Sequence, residues 1–199
     1  MARTRADDFE EKQHHILLTA AHVFATQGME KASMSQIASE AGVSKSLLYH
    51  YYPSKDALIF EIIRSHLQEL DAELTEARDP SLDDEAQLEK LVGVVLNAYR
   101  GADDQHKVQL NAGPALSEAQ KAEITALERK IVKHFSNTLR DIHPELTNDD
   151  RPLLMPVTMS LFGMMNWVYM WFKEGGPISR EDYAKMATTL ILEGVKAVR

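Results

Sequence analysis

Apolar positions recur at spacings of three and four along most of this chain, the period of an amphipathic helix and not of a strand. Ile16, Ala20, Val23 and Phe24 mark one helix, and Gly28 stands where it must stop. Ser33 with Gln36 is a capping-box pair and predicts a helix from Met34 to Ala41. Gly42 follows, at a sharp turn where a positive φ is required. Ser44 caps a second short helix, from Lys45 to about Tyr51, which Pro53 ends. From Lys55 to about Asp79 a longer stretch carries Leu58, Ile62, Leu67, Leu70 and Leu74, and Pro80 closes it. Leu88, Leu91, Val92, Val95, Leu96 and Tyr99 predict a helix ending at Gly101. Ser117 with Gln120 opens another, carrying Ile124, Leu127, Ile131, Phe135, Leu139 and Ile142 as far as Pro144. Ser179 with Asp182 opens the last, with Tyr183, Met186, Leu190, Ile191 and Val195. There is no convincing alternation of period two, no internal repeat and no low-complexity tract. The expected fold class is all-α.

One run breaks the amphipathic pattern. Leu153 to Phe172 contains no charged residue over twenty positions, the length of a membrane span. Pro156, Thr158, Ser160, Gly163 and Asn166 interrupt it, and the chain has no second such run. The expectation is therefore a helix buried on one side in the core and on the other in a partner subunit, with no membrane involved.

Composition narrows the class further. At 199 residues the chain is one domain, or a small domain joined to a larger one. With 44% apolar and 26% charged residues it is too apolar for disorder. The absence of cysteine excludes a disulfide scaffold and a thiolate metal site. The N-terminus turns acidic where a secretory signal would need an apolar run, which makes a cytoplasmic location the expectation. The net charge of −8 argues against a nucleic-acid partner until its distribution is considered. Residues 1–56 carry six Lys/Arg against seven Asp/Glu, so nearly all the acidity lies beyond them. Between Ser33 and Lys55 there is one acid, Glu40, against Lys45 and Lys55. A local surface there permits an approach to phosphates.

Two short helices across a tight glycine turn form a helix-turn-helix, whose second helix can enter the major groove of DNA. Ile37, Ala38, Ala41, Val43, Leu47 and Leu48 are the apolar positions that would hold the pair together. The same geometry also fits a plain helical hairpin. Surface chemistry favours the DNA reading. Lys45 and Ser46 project from the start of the second helix, and Ser33, Tyr49, His50 and Lys55 offer donors suited to phosphates.

These residues resemble the tetracycline-repressor (TetR) family of bacterial transcriptional regulators. The resemblance rests on Phe24 and Gly28, then Ser33, Ile37-Ala38, Ala41-Gly42-Val43-Ser44, Leu48-Tyr49-His50-Tyr51-Tyr52 and Ser54-Lys55-Asp56-Ala57-Leu58. It covers roughly residues 10–60; the remainder agrees with the family only in length and helix content. Tyr52 stands where many members have Phe, and Ser33 where Thr is commoner. The resemblance implies an N-terminal three-helix helix-turn-helix domain over 8–56 and a C-terminal helical effector-binding and dimerisation domain over 57–199. It implies Lys45, Ser46 and Leu47 in the groove, beside the cap Ser44, and Ser33, Ser35, Tyr49, His50 and Lys55 at phosphates. Tyr49 or Tyr51 could instead be core aromatics.

A regulator of this kind needs a second site. Its candidate lining is Phe60, Ile63, Leu67, Tyr99, Gln109, Leu110, Phe135, Leu139, Met155, Met159, Phe162 and Asn166, any of which could equally be ordinary core. Asn166 is the sharpest of them, because an amide inside an uncharged run must find a partner. The stretch from Leu161 to Phe172, followed by Gly175-Gly176, is similar to members associated with fatty-acid or aromatic-acid catabolism. That implies an acyl-CoA as leading effector, with a free hydrophobic drug or aromatic acid as runner-up. The family's pairing of its last two helices implies a homodimer, for which Ala184, Ala187, Thr188, Ile191, Gly194, Val195 and Val198 offer a small apolar face. A two-fold dimer would place two recognition helices on successive major grooves of a near-palindromic operator. Enzyme signatures are thin. Glu11 with His14 has the Glu-x-x-His spacing from which di-iron bundles are built, but the required second copy is absent, Asp103 with His106 being the nearest approach. There is no Gly-x-Ser-x-Gly, phosphate loop or His-Glu-x-x-His, so neither catalysis nor a metal or cofactor is expected. The alternatives kept open are a helical scaffold or ligand-binding dimer without a DNA role, and a helical metalloenzyme built on Glu11 and His14.

Overall fold

The computed structural model describes residues 2–198, with side chains from Phe9 onward except that of residue 10. In chain order the helices are α1 (Ala2–Gln27), α2 (Met34–Glu40), α3 (Lys45–Tyr51), α4 (Lys55–Glu76) and α5 (Asp84–Ala98). They continue as α6 (Asp103–Asn111), α7 (Glu118–Ile142), α8 (Leu154–Asn166), α9 (Val168–Trp171) and α10 (Arg180–Val198). There is no β-strand among the described residues. Short 3-10 turns occupy Gly113–Ala115 and Pro144–Thr147.

The chain divides into two compact units. The first combines residues up to Leu67 with Gly101–Thr125, and the second combines Gln68–Arg100 with Ala126 onward. Helices α4 and α7 therefore each contribute one end to either unit.

In the first unit, Ile16, Ala20, Val23 and Phe24 of α1, Ile37 and Ala38 of α2, Leu48 of α3 and Leu58, Ile59, Ile62 and Ile63 of α4 are buried. Removing that apolar surface from water supplies the main drive for packing. Gly28, at φ 87°, ends α1, its N–H still reaching Phe24 O at 3.0 Å. Helix α6 was not foreseen by the apolar spacing. It begins with Asp103 and Asp104, acids suited to a helix N-terminus, and lies against α1 with His106 and Val108 buried. His22 Nδ1 stands 2.8 Å from Asp104 Oδ2 across that contact.

In the second unit, α10 packs on α5 and α8, and α5 also meets α8. Ala184, Ala187, Thr188 and Val195, expected at a subunit interface, are buried inside the protomer on the helix that packs against α5 and α8. Small side chains let helix axes approach closely, and here that closeness is used internally. Ile191 is half-buried and Val198 exposed. Arg180 anchors the start of α10: its Nη1 donates to Leu96 O at 2.6 Å, its Nε to Glu174 Oε1 at 2.6 Å, and it lies 4.9 Å from the Phe172 ring centre. The uncharged run forms α8 and α9 with a break at Trp167. No helix of the described residues is long and apolar enough to cross a membrane.

Candidate nucleic-acid interface

The geometry of α2 and α3 follows from a few local bonds. Ser33 Oγ accepts from Gln36 N at 3.2 Å and caps α2. The other half of the box is absent, because the Gln36 amide donates to Glu40 Oε1 at 2.9 Å instead. Helix α2 ends in a Schellman motif: Val43 N donates to Ala38 O at 2.9 Å and Gly42 N to Ser39 O at 3.2 Å. Gly42 has φ 64°, a conformation that costs a residue with a Cβ about 1 kcal/mol or more. Ser44 Oγ then accepts from Leu47 N at 3.1 Å, so α3 starts at a fixed angle two residues after α2 is closed.

That angle buries Leu48 and leaves Ser44, Lys45, Ser46, Tyr49 and His50 exposed, with Leu47 half-buried. Ser33 and Ser35 are exposed at the head of α2. Lys45 Nζ lies 5.8 Å from the Tyr49 ring centre, a cation–π distance that keeps two neighbouring donors together on the open side of α3. Tyr51 is turned the other way. It is half-buried, edge-on to Phe9 of α1 at 5.2 Å and tilted to Tyr52 at 6.2 Å. Tyr52 is buried, and loss of hydration pushes its phenol up to about 12.

Lys55 differs from the other phosphate candidates. Its Nζ donates to Glu30 O at 3.2 Å and Ala32 O at 3.3 Å, strapping the α1–α2 loop to the head of α4. Two of its three donor positions are thus spent on the protein's own backbone. Nothing in its neighbourhood along the sequence signals this, since the acceptors are 25 and 23 residues away.

The twelve residues expected to line an effector site fall in both units. Phe60, Ile63 and Leu67 lie on the part of α4 in the first unit, with Ile63 and Leu67 buried and Phe60 half-buried. Gln109 and Leu110 lie on α6, where Leu110 is exposed. In the second unit Tyr99 donates its hydroxyl to Asn166 Oδ1 at 2.9 Å, and burial pushes that phenol upward. Phe162, one turn before Asn166 on α8, meets Phe135 of α7 edge-on at 5.0 Å, and Leu139 is one further turn along α7. The structure therefore brings Tyr99 to Asn166 and Phe135 to Phe162, with the two α8 residues one turn apart, while Leu139 is buried one turn further along α7. Met155 and Met159 are both exposed. Trp167, Met170 and Trp171 are exposed as well, on the run expected to offer its second side to a partner subunit, and so are Ile178, Met186 and Leu190 beyond that run. Among the described residues no group of three or more His, Asp or Glu is placed to hold a metal ion.

Comparison with known proteins agrees with this architecture. The family model for bacterial regulatory proteins of the tetR family matches residues 16–62, and that for the tetracyclin repressor-like C-terminal domain matches residues 81–195. The chain is 25% identical over 191 residues to the HTH-type transcriptional repressor KstR2 of Mycolicibacterium smegmatis, covering 92% of this chain and 90% of that protein. A TetR-family transcriptional regulator from Bordetella parapertussis 12822 shares the fold with a TM-score of 0.82 at 30% identity, over 91% of this chain and 94% of that one. AibR, solved in complex with isovaleryl coenzyme A and operator DNA, gives a TM-score of 0.75 at 23% identity, over 90% and 97% of the two chains. On the helix-turn-helix geometry and the matches across both parts of the chain, this protein belongs to the tetracycline-repressor (TetR) family of bacterial transcriptional regulators.

Proposed function

We propose that the chain is a homodimeric transcriptional repressor that leaves a near-palindromic operator when a hydrophobic effector, best matched by an acyl-CoA, binds its C-terminal part. The observation that carries the DNA half is the exposed row Ser44, Lys45, Ser46, Tyr49 and His50 on α3. The opposite side of that helix is held by Leu48, and both ends of the turn are closed by caps. In this reading Lys45, Ser46 and Leu47 meet base edges, while Ser33, Ser35, Tyr49 and His50 meet phosphates. Residues 8–56 bind DNA and residues 57–199 carry the effector and dimer functions.

Support for the effector comes from the Tyr99–Asn166 pair, one turn along α8 from the Phe162–Phe135 contact, a polar handle following an apolar one on the same helix. The acyl-CoA in the AibR complex is consistent with it. Support for the dimer comes from Met155 and Met159 on α8 with Met186 and Leu190 on α10, exposed side chains on two helices that pack together. Monomers rarely leave so much apolar surface in water. This face takes the place of the small-residue face that the protomer uses internally.

The test is fluorescence anisotropy on DNA immediately upstream of the protein's own gene, against scrambled DNA, across a salt series. Binding at least ~10³-fold tighter to the former is expected. An acyl-CoA should weaken it by a coupling of about 1–3 kcal/mol, and operator should weaken acyl-CoA binding by the same factor. Absence of specific binding there and to DNA selected from a random library would overturn the regulator reading.

A further inference from the structure

The first unit carries a cleft to which α3 contributes no residue. It opens between the last turn of α1, the loop after it and α6, and has a volume of about 560 Å³, within the range of small-molecule sites. Phe24 and Val108, each almost fully buried, give it an apolar floor, to which half-buried Met29 adds a thioether. Gln27 and Asn111 bring amides. Lys31 and Lys107 bring two ammonium groups against the single carboxylate of Glu30. Lys107 Nζ is ion-paired with Asp104 Oδ1 at 3.8 Å without a hydrogen bond, so a ligand carboxylate would compete with Asp104 for it, and Lys31 is exposed. An apolar floor beside two ammonium groups, one of them held only by a long ion pair, suits a ligand with an apolar body and an anionic end.

One wall of this cleft is a stretch of chain that sets the head of α2. Gly28, Met29, Glu30 and Lys31 line it. The carbonyls of Glu30 and Ala32 are those held by Lys55 Nζ, and the next residue, Ser33, is the cap of α2. A ligand in the cleft would therefore touch a loop tied to α4 through Lys55 and continuous with the cap of α2.

We propose that this cleft binds a small amphipathic carboxylate, its tail on Phe24, Met29 and Val108 and its carboxylate between Lys31 and Lys107. Occupancy weakens operator binding from within the DNA-binding unit. The second statement rests on the regulator reading above; the first does not.

The experiment uses the full-length protein with ¹³C-labelled Met and Val methyl groups, titrated with hexanoate at constant ionic strength. Hexan-1-ol and hexylamine serve as controls. Hexanoate is expected to shift the Met29 and Val108 signals saturably in the millimolar range. In Lys31→Gln/Lys107→Gln its apparent Kd is expected to rise roughly tenfold. Equal binding of hexan-1-ol, or shifts confined to methyl groups of the second unit, would overturn the site. On operator DNA, saturating hexanoate should raise the Kd several-fold for the parent protein and leave the double variant unchanged. An unchanged operator Kd with the Met29 and Val108 shifts intact would overturn the regulatory statement alone. A protein that binds hexanoate there and no operator overturns that statement together with the regulator reading, and leaves the ligand site standing.

Discussion

Lys55 and Lys45 look alike as lysines flanking a recognition helix, yet they do different work. Lys45 is exposed and lies over the face of Tyr49, whereas Lys55 closes a loop through two carbonyls. Lys55→Ala is therefore expected to lower unfolding stability by about 1–2 kcal/mol, the net value of two such bonds. Lys45→Ala should change stability by no more than about 0.5 kcal/mol and alter which operator bases are preferred. Urea midpoints and anisotropy on a panel of operator variants check both; a salt slope reduced by about one unit in Lys55→Ala with stability intact would return Lys55 to phosphate binding. Tyr99 has a similar split character. Burial keeps its phenol protonated, so it donates to Asn166 at any physiological pH. Tyr99→Phe should cost about 1 kcal/mol in stability and weaken acyl-CoA binding; an effector affinity equal to that of the parent would remove the pair from the effector site.

At the scale of elements, α3 is the instructive case. Seven residues are too few for a helix to persist alone in water, so its position depends on its caps and on Leu48. Ser44→Ala should cost about 1 kcal/mol. Gly42→Ala should cost about that or more, through the strain of φ 64° at a residue with a Cβ. Both should weaken operator binding beyond their effect on stability, since the angle of α3 is lost first; denaturant midpoints alongside DNA titrations separate the two effects. The caps were legible because each is a bond spanning three residues. Reciprocal boxes form at Ser117/Gln120 and Ser179/Asp182 as the spacing predicts. Helix α6 was not legible, because its buried residues are few and it is recognised only through its packing on α1.

For the molecule as a whole, acid sensitivity and assembly follow from what is buried and what is left open. Burial, aided by the nearby His106, holds the His66 imidazole down to about 4 from its ordinary 6.5. Between those values the unfolded chain binds the proton and the folded chain does not, so stability falls as pH drops through that window. The loss should approach about 3 kcal/mol by its lower end. His66→Gln should flatten this dependence, as thermal melting at successive pH values would reveal. Assembly should depend on the exposed face of α8 and α10. Met159→Glu with Leu190→Glu should give a monomer in sedimentation, whereas substitution of buried Ala187 by a larger residue should first destabilise the protomer.

Periodic apolar residues, caps three residues apart and glycines at obligatory turns act over one or two turns of chain. The sequence by itself therefore determined the all-α class, most helix boundaries and the helix-turn-helix with its exposed row on α3. Only the tertiary structure decided that Lys55 binds a loop, that Tyr51 packs on Phe9, and that the small face of α10 turns inward while Met186 and Leu190 of the same helix turn outward. Each of those outcomes is a contact between residues far apart in sequence. A pattern of apolar and polar positions says that a face is buried, and says nothing of which partner covers it.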